Sequence, residues 1–100
     1  MKTILVDNEP LMQQKLETVM KDIREVDVVG SFGNSEKALE YAEENTVEFA
    51  LLGTEMPEMD GLDLGRKLKE IYPGIVLIYI TENSDRLEDI MKMKADYCIM

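Results

Sequence analysis

Three short polar clusters each follow an apolar run, and they hold the side chains best suited to chemistry. The clusters are Asp7-Asn8-Glu9, Gly53-Thr54-Glu55 and Thr81-Glu82-Asn83. They offer carboxylates, amides and hydroxyls, while imidazole is absent because the chain has no histidine. If the apolar runs are parallel strands, their carboxyl ends meet at one edge of the sheet, where such folds bind ligands. The sequence therefore predicts one ligand crevice built from the three clusters.

The segments around these clusters alternate between strand-like and helix-like patterns. Pro10 suits the first turn of a helix, with Asn8 or Glu9 as its cap, and Asn45 suits the end of the second helix. The predicted strands are Thr3–Val6, Val26–Phe32 with a break at Gly30, Val47–Leu52, Ile75–Ile80 and Tyr97–Met100. The predicted inward residues of the first helix are Met12, Leu16, Val19, Met20 and Ile23, and those of the second, Ser35–Glu44, are Ala38, Leu39 and Ala42. A third helix, capped by Asp60, turns Leu64, Leu68 and Ile71 inward, and a fourth, opening at Asn83 or Ser84, turns Leu87, Ile90 and Met91 inward.

This alternation predicts the α/β class, a doubly wound parallel sheet with right-handed crossovers and helices on both faces. With 100 residues, the chain is expected to form one domain over residues 1–100. It stops after the fifth predicted strand, so we expect an incomplete helix layer on one face. The apolar surface left there predicts a homodimer or a bound protein partner.

The composition restricts the classes of partner. There are 21 acidic and 11 basic residues, a net charge of -10. A nucleic acid or an anionic membrane would repel such a surface, so we expect protein partners and no direct nucleic-acid binding. The single cysteine, Cys98, and the absence of a long apolar segment predict a cytoplasmic protein without a signal peptide or a membrane span.

One stretch carries a recognisable motif, LLGTEMPEMDGLDL at residues 51–64, after ILVDNEP at residues 4–10. Thr81 follows the fourth apolar run, and Ala95-Asp96-Tyr97 opens the fifth. In this order the chain resembles response regulator receiver domains, the phosphoacceptor modules of two-component signalling. The resemblance implies a flavodoxin-like five-stranded sheet of order 2-1-3-4-5, which is the strand order of this family. It also implies phosphoryl transfer from a partner's phosphohistidine to an aspartate, assisted by Mg²⁺, a hydroxyl and a lysine.

The sequence departs from the family at the residues that do this chemistry. Gly53 occupies the phosphoacceptor position, and Asp7-Asn8 replaces a pair of acids. The family's lysine aligns with Met100 or lies beyond it. Only the hydroxyl of Thr81 and the aromatic switch residue Tyr97 match. We therefore expect Mg²⁺ to bind weakly or not at all, through Asp7, Asn8 and Glu55.

These departures favour a pseudo-receiver, which is not an enzyme and which acts by contacting a sensor kinase or an output protein. One alternative is an Mg²⁺-dependent receiver that accepts phosphate on Glu55 or Asp7. Another is the N-terminal piece of a transcriptional regulator whose DNA-binding domain is not in this chain. Structural explanations also exist: Gly53 fits a turn that needs a positive φ, and the Asp7 cluster fits a helix cap.

Overall fold

The strands and helices alternate as the sequence predicts. The computed structural model describes residues 1–56 and 58–80 and the backbone of residues 97–99. The elements are β1 (Lys2–Val6), α1 (Pro10–Lys21), β2 (Asp27–Phe32), α2 (Ser35–Glu44), β3 (Phe49–Gly53), α3 (Gly61–Ile71), β4 (Val76–Ile80) and β5 (Tyr97–Ile99). The predicted fourth helix, the motif's Pro57 and the residues Thr81 and Met100 lie outside the described residues, as does the side chain of Tyr97.

The five strands form one sheet in the order β2-β1-β3-β4-β5. Every neighbouring pair is parallel. The fold class and the strand order are therefore confirmed. Because β1 connects to β2 in the opposite direction from the later crossovers, right-handed connections place α1 on one face and α2 and α3 on the other.

The main core lies between the sheet and the pair α2 and α3. Alternate strand residues point into it, because successive side chains of a strand face opposite sides of the sheet. The buried set includes Ile4 and Val6 of β1, Ala50 and Leu52 of β3, Leu77 and Tyr79 of β4, and Ala38, Ala42, Leu64 and Leu68 of the helices. The predicted inward positions Ala38, Ala42, Leu64 and Leu68 are thus confirmed, and Leu39 is partly buried against the core. Ile71, at the end of α3, is half-buried and is not part of this core.

The orientation of α1 differs from the sequence prediction. Met12, Leu16 and Met20 are half-buried, but Val19 and Ile23 are 56% and 38% exposed. The predicted inward placement of these two residues is wrong. The polar residue Gln13 explains the difference, because its amide hydrogen-bonds to the carbonyl oxygen of Asp7 and to the hydroxyl of Ser31 in β2. These bonds turn the Gln13 side of the helix toward the sheet and Val19 away from it.

Except in α2, the observed ends of the strands and helices differ from the predicted ends by at most two residues. Helix α2 has the predicted limits, and Asn45 is its C-cap, with its N–H donated to the Tyr41 carbonyl. Strand β2 continues through Gly30, although its pairing with β1 skips Val29, so the predicted break is a shift in register. Asp60 caps α3 as predicted, through a bond from the Asp63 amide to its carboxylate. In the described ranges no helix has the length and apolar character needed to cross a membrane.

Candidate functional site

Two of the three polar clusters meet in one small pocket at the carboxyl edge of the sheet. Strands β1 and β3 are neighbours with Val6 opposite Leu52, so the residues that follow them lie side by side. The pocket has a volume of about 90 Å³ and is lined by Asp7, Asn8, Glu9, Met12, Gly53, Thr54, Glu55 and Ile80. The third cluster falls outside the described residues, but the end of β4 is present, because Ile80 pairs with Gly53.

Asp7 is the buried acid of the pocket, with 9% of its surface exposed. Its Oδ1 accepts a hydrogen bond from the Glu9 amide at 2.9 Å. Its own amide donates to the Phe32 carbonyl at 3.1 Å, and its carbonyl accepts from Gln13 Nε2 at 2.7 Å. The side chain and the backbone of Asp7 are therefore both fixed by neighbouring elements.

Gly53 is the last residue of β3, and no glycine among the described residues has a positive φ. The explanation of Gly53 as a turn residue in that conformation is therefore wrong. The surroundings of Gly53 give a different reason for the absence of a side chain. A Cβ atom at position 53 would lie 2.7 Å from Oδ2 of Asp7 and 3.3 Å from its Cγ. The Asp7 carboxylate thus occupies the space into which a side chain of residue 53 would project.

The loop between β3 and α3 closes tightly over the strand end. The Gly61 amide donates to the Thr54 carbonyl at 3.1 Å, and the Thr54 amide donates to the Ile80 carbonyl at 3.3 Å. A Cβ atom on Gly61 would collide with the Gly53 carbonyl oxygen. Glu58 adopts a positive φ of 67°, which turns the chain back toward α3. The backbone at position 53 is therefore clamped by the first residue of α3.

Glu9, Asn8 and Glu55 contribute less than Asp7 to the shape of the pocket. Glu9 is the N-cap of α1 by position, as predicted, and Pro10 follows at the first helical position. Its side chain makes no capping hydrogen bond. Instead, Asp7 satisfies the Glu9 amide, so the cap-like bond comes from the residue two positions earlier. Asn8 and Glu55 are exposed and line the pocket.

The charge of the pocket is wholly acidic over the described residues. Asp7, Glu9 and Glu55 contribute carboxylates, and no lysine or arginine appears among the lining residues. Such a surface favours cations and repels phosphate groups. Charge stabilisation of a transferring phosphoryl group normally requires cationic partners. Residues 1–56 and 58–80 place none of these against the pocket.

The donor set is also a poor match to Mg²⁺. This ion takes oxygen ligands in near-octahedral geometry, usually through one or two carboxylates. One Asp7 oxygen already accepts an amide hydrogen, and Asn8 brings a neutral amide in place of an acid. Within the described ranges there is no group of three or more acidic, histidine or cysteine side chains placed to hold a metal. Among the described residues, Asp7 is therefore the single buried carboxylate that lines the pocket.

Sequence reasoning missed several residues around the pocket. Met12 was assigned only to the apolar face of α1, yet it also lines the pocket, one helical turn after the Asp7 cluster. Gln13 carried no signal except a polar residue beside apolar neighbours. Thr54 is 1% exposed, and its hydroxyl has no hydrogen-bond partner in the described part of the chain. Thr81 and the Tyr97 side chain lie outside the described residues.

The sequence is similar to those of a known protein family. The sequence matches the response regulator receiver domain family over residues 3–100. It is 26% identical over 100 residues to the transcriptional regulatory protein YpdB of Escherichia coli strain K12, covering 99% of this chain and 41% of that protein. It is 34% identical over 77 residues to a protein-glutamate methylesterase/protein-glutamine glutaminase of Paramagnetospirillum magneticum, covering 77% of this chain and 20% of that protein. The chain thus spans well under half the length of these curated relatives.

Solved structures agree with this assignment. The response regulatory domain of MrkE from Klebsiella pneumoniae superposes with a TM-score of 0.92 and 25% identity, covering all of this chain and 82% of that one. The receiver domain of RcsB from Salmonella enterica serovar Typhimurium gives a TM-score of 0.90 at 21% identity, covering all of this chain and 76% of that one, a likeness of fold. The family match, the strand order and the pocket at the carboxyl edge lead to one conclusion: the chain belongs to the response regulator receiver domain family.

Proposed function

We propose that this receiver domain of two-component signalling is a pseudo-receiver, which works by contacting protein partners without phosphorylation of an aspartate and without catalysing a reaction. The observation that supports this most directly is the environment of Gly53. The family's acceptor position has no side chain, and the Asp7 carboxylate fills the space beside it. An acyl phosphate needs a carboxylate at the attacking position. The acidic lining adds repulsion toward any phosphoryl donor.

The donor set of the pocket, a single buried acid beside the neutral amide of Asn8, supports weak Mg²⁺ binding or none. The partners we propose are a sensor kinase or an output protein, in the cytoplasm, where a single cysteine stays reduced. The named relatives include a transcriptional regulatory protein. Transcriptional output is therefore the class we favour for a longer protein that contains this domain. DNA contact would then come from another domain, since this one has a net charge of -10.

The experiment that tests the proposal is a phosphorylation assay read by intact mass. The protein is incubated with Mg²⁺ and acetyl phosphate, beside a receiver domain that has aspartate at the acceptor position. We expect acid-labile phosphate on that control and none on this chain. A gain of one phosphoryl group on this chain, mapped by peptide analysis, would refute the proposal.

A second function, phosphorylation of a surrogate carboxylate, is favoured by one observation only. Asp7 Oδ2 lies 2.7 Å from the place of a Cβ at position 53, close to where the family's acceptor carboxylate would be. Asp7 is therefore a better candidate surrogate than Glu55, which is exposed. In the same assay, phosphate that appears on the parent and disappears in Asp7→Asn would establish this function. Phosphate that persists in Asp7→Asn and disappears in Glu55→Gln would assign it to Glu55.

The partner surface that we propose lies along α1. No residue of this helix is fully buried, and Leu11 and Val19 are 65% and 56% exposed. Exposed apolar groups of this size on one helix support self-association or the binding of a partner helix. Light scattering over a dilution series tests self-association. We expect Val19→Glu to shift the chain toward monomer, while Thr46→Glu, an equal charge change at an exposed distant position, leaves the distribution unchanged. A parent that stays monomeric at high concentration would rule out the homodimer.

A further inference from the structure

The space beside Gly53 on the floor of the pocket is filled by the carboxylate of Asp7, the residue that follows β1. A side chain at position 53 and the Asp7 carboxylate in its present place exclude one another, because the Cβ atom would lie 2.7 Å from Oδ2. Heavy atoms that are not bonded to one another come this close only when they share a hydrogen bond. We infer that the Asp7 carboxylate has taken the place of the missing side chain and acts as a built-in plug of the pocket.

The plug is held by its own hydrogen bonds. Oδ1 accepts from the Glu9 amide at 2.9 Å, so moving the carboxylate away from Gly53 breaks this hydrogen bond. The Asp7 backbone is bound to β2 through the Phe32 carbonyl and to α1 through Gln13. With 9% of its surface exposed, Asp7 is positioned by protein contacts more than by solvent.

The plug also connects the two halves of the pocket. On the β1 side, Asp7 fixes the turn into α1 through the Glu9 amide. On the β3 side, Gly53 lies between the carboxylate and Gly61, whose α-carbon packs directly against the Gly53 carbonyl. The turn after β1, the end of β3 and the start of α3 therefore form one packed unit.

This arrangement has a regulatory consequence, which rests on the proposed function. A receiver switched by phosphorylation needs space and positive charge for the incoming group, and the plug supplies a negative charge in that space. The residues that line the pocket and the protein surface beside them then keep a single conformation. Partner binding by this domain is consequently constitutive, and Asp7 is the positioning residue that fixes it.

A double-mutant cycle between Asp7 and Gly53 tests the plug. The four proteins are the parent, Gly53→Ala, Asp7→Ala and the double variant, with unfolding in urea followed by circular dichroism. In the parent background, Gly53→Ala forces the carboxylate aside, and we expect the unfolding equilibrium constant to rise about tenfold, within the range measured for coupled neighbours. In the Asp7→Ala background the colliding oxygen is gone, so the same change has no cost.

Amide hydrogen exchange at Glu9 gives a second readout that separates positioning from general stability. We expect faster exchange of this amide in Gly53→Ala and in Asp7→Ala under conditions where the core strands stay protected. Asp7→Asn keeps the shape and an acceptor oxygen, so it should retain the protection. Gly74→Ala is the matched control, because a Cβ there meets nothing within 4 Å.

The inference is overturned if Gly53→Ala has the same effect in both backgrounds, or if Glu9 exchange is indifferent to Asp7. These results are independent of the phosphorylation assay. Phosphate on the parent chain would refute the pseudo-receiver while leaving a coupled cycle intact. A double-mutant cycle without coupling would refute the plug, while the absence of phosphate on the chain would still support the pseudo-receiver.

Discussion

Placing an aspartate at position 53 is expected to make the stability of this chain depend on Mg²⁺. In Gly53→Asp the new Cβ displaces Asp7 Oδ2, which lies 2.7 Å from it, and the Glu9 amide loses its acceptor. Leaving that amide unpaired costs about 1–3 kcal/mol. Two carboxylates about 4 Å apart add a repulsion of up to about 4 kcal/mol at an effective dielectric constant near 20. Without a cation the variant should therefore be several kcal/mol less stable than the parent.

A divalent cation bound between the two carboxylates of Gly53→Asp replaces their mutual repulsion with attraction to the ion. Two adjacent carboxylates form the kind of oxygen site that Mg²⁺ binds. A ligand that binds only the folded state adds about 2.7 kcal/mol when its concentration is one hundred times its Kd. We expect the stability of Gly53→Asp to rise with Mg²⁺ concentration and to recover a large share of the loss. The parent, with Asn8 beside a single buried acid, should gain little.

Urea unfolding at a series of Mg²⁺ concentrations measures this directly, with far-ultraviolet circular dichroism as the signal because the chain has no tryptophan. Gly53→Asn is the matched control, since it has nearly the same volume without the charge. Its loss of stability should be smaller and indifferent to Mg²⁺. If Gly53→Asp and Gly53→Asn respond alike to Mg²⁺, or if the parent responds as strongly as Gly53→Asp, the electrostatic reasoning is wrong.

Four further outcomes follow from the burial and the contacts of single residues. Tyr79→Phe should raise stability by about 1 kcal/mol in calorimetry, because the Tyr79 hydroxyl is buried without a hydrogen-bond partner in the described part of the chain. Burial raises the pKa of Tyr79 above its ordinary value of 10.0, so above that pH the folded state keeps a proton that the unfolded state loses. The stability of the parent should therefore fall as the pH rises above 10.0. The fall should be less steep in Tyr79→Phe, which has no phenol to titrate. Gly61→Ala should destabilise by about 1–3 kcal/mol in urea, because its Cβ meets the Gly53 carbonyl, whereas Gly74→Ala, in open space, should be near neutral. Asp60→Ala should cost about 1 kcal/mol through loss of the α3 cap, with the Asp63 amide exchanging faster.

Local signals predicted the helices whose ends are fixed by neighbouring residues. Helix α2 has the predicted limits, because Asn34 accepts from the Lys37 amide at its start and Asn45 donates to Tyr41 at its end. The face of α1 was not predictable in this way. Its rotation depends on Gln13, whose hydrogen bonds reach Asp7 and the distant strand residue Ser31. A hydrophobic pattern contains no information about such bonds, so Val19 was assigned to the wrong side.

In the candidate site, too, the sequence predicted one part of the arrangement and could not predict another. That Asp7 and Gly53 lie together follows from parallel strands in the order β2-β1-β3-β4-β5, and the sequence predicted it. That the Asp7 carboxylate bends over Gly53 depends on a side-chain torsion and on the Glu9 amide, neither of which a sequence pattern contains. The alternative explanation of Gly53 as a turn residue with a positive φ failed for a related reason. Glycine has more than one physical use, and here the use is close approach rather than backbone conformation.

The two close approaches at Gly53 constrain this position in different ways. On one side the constraint is backbone, since Gly61 packs against the Gly53 carbonyl and cannot yield without moving α3. On the other side the constraint is the far end of a side chain, the Asp7 carboxylate, which can rotate. A substitution at position 53 is therefore accommodated by Asp7 and not by the strand. The backbone contact therefore holds the fold at this position, while the shape of the pocket depends on where the Asp7 carboxylate lies.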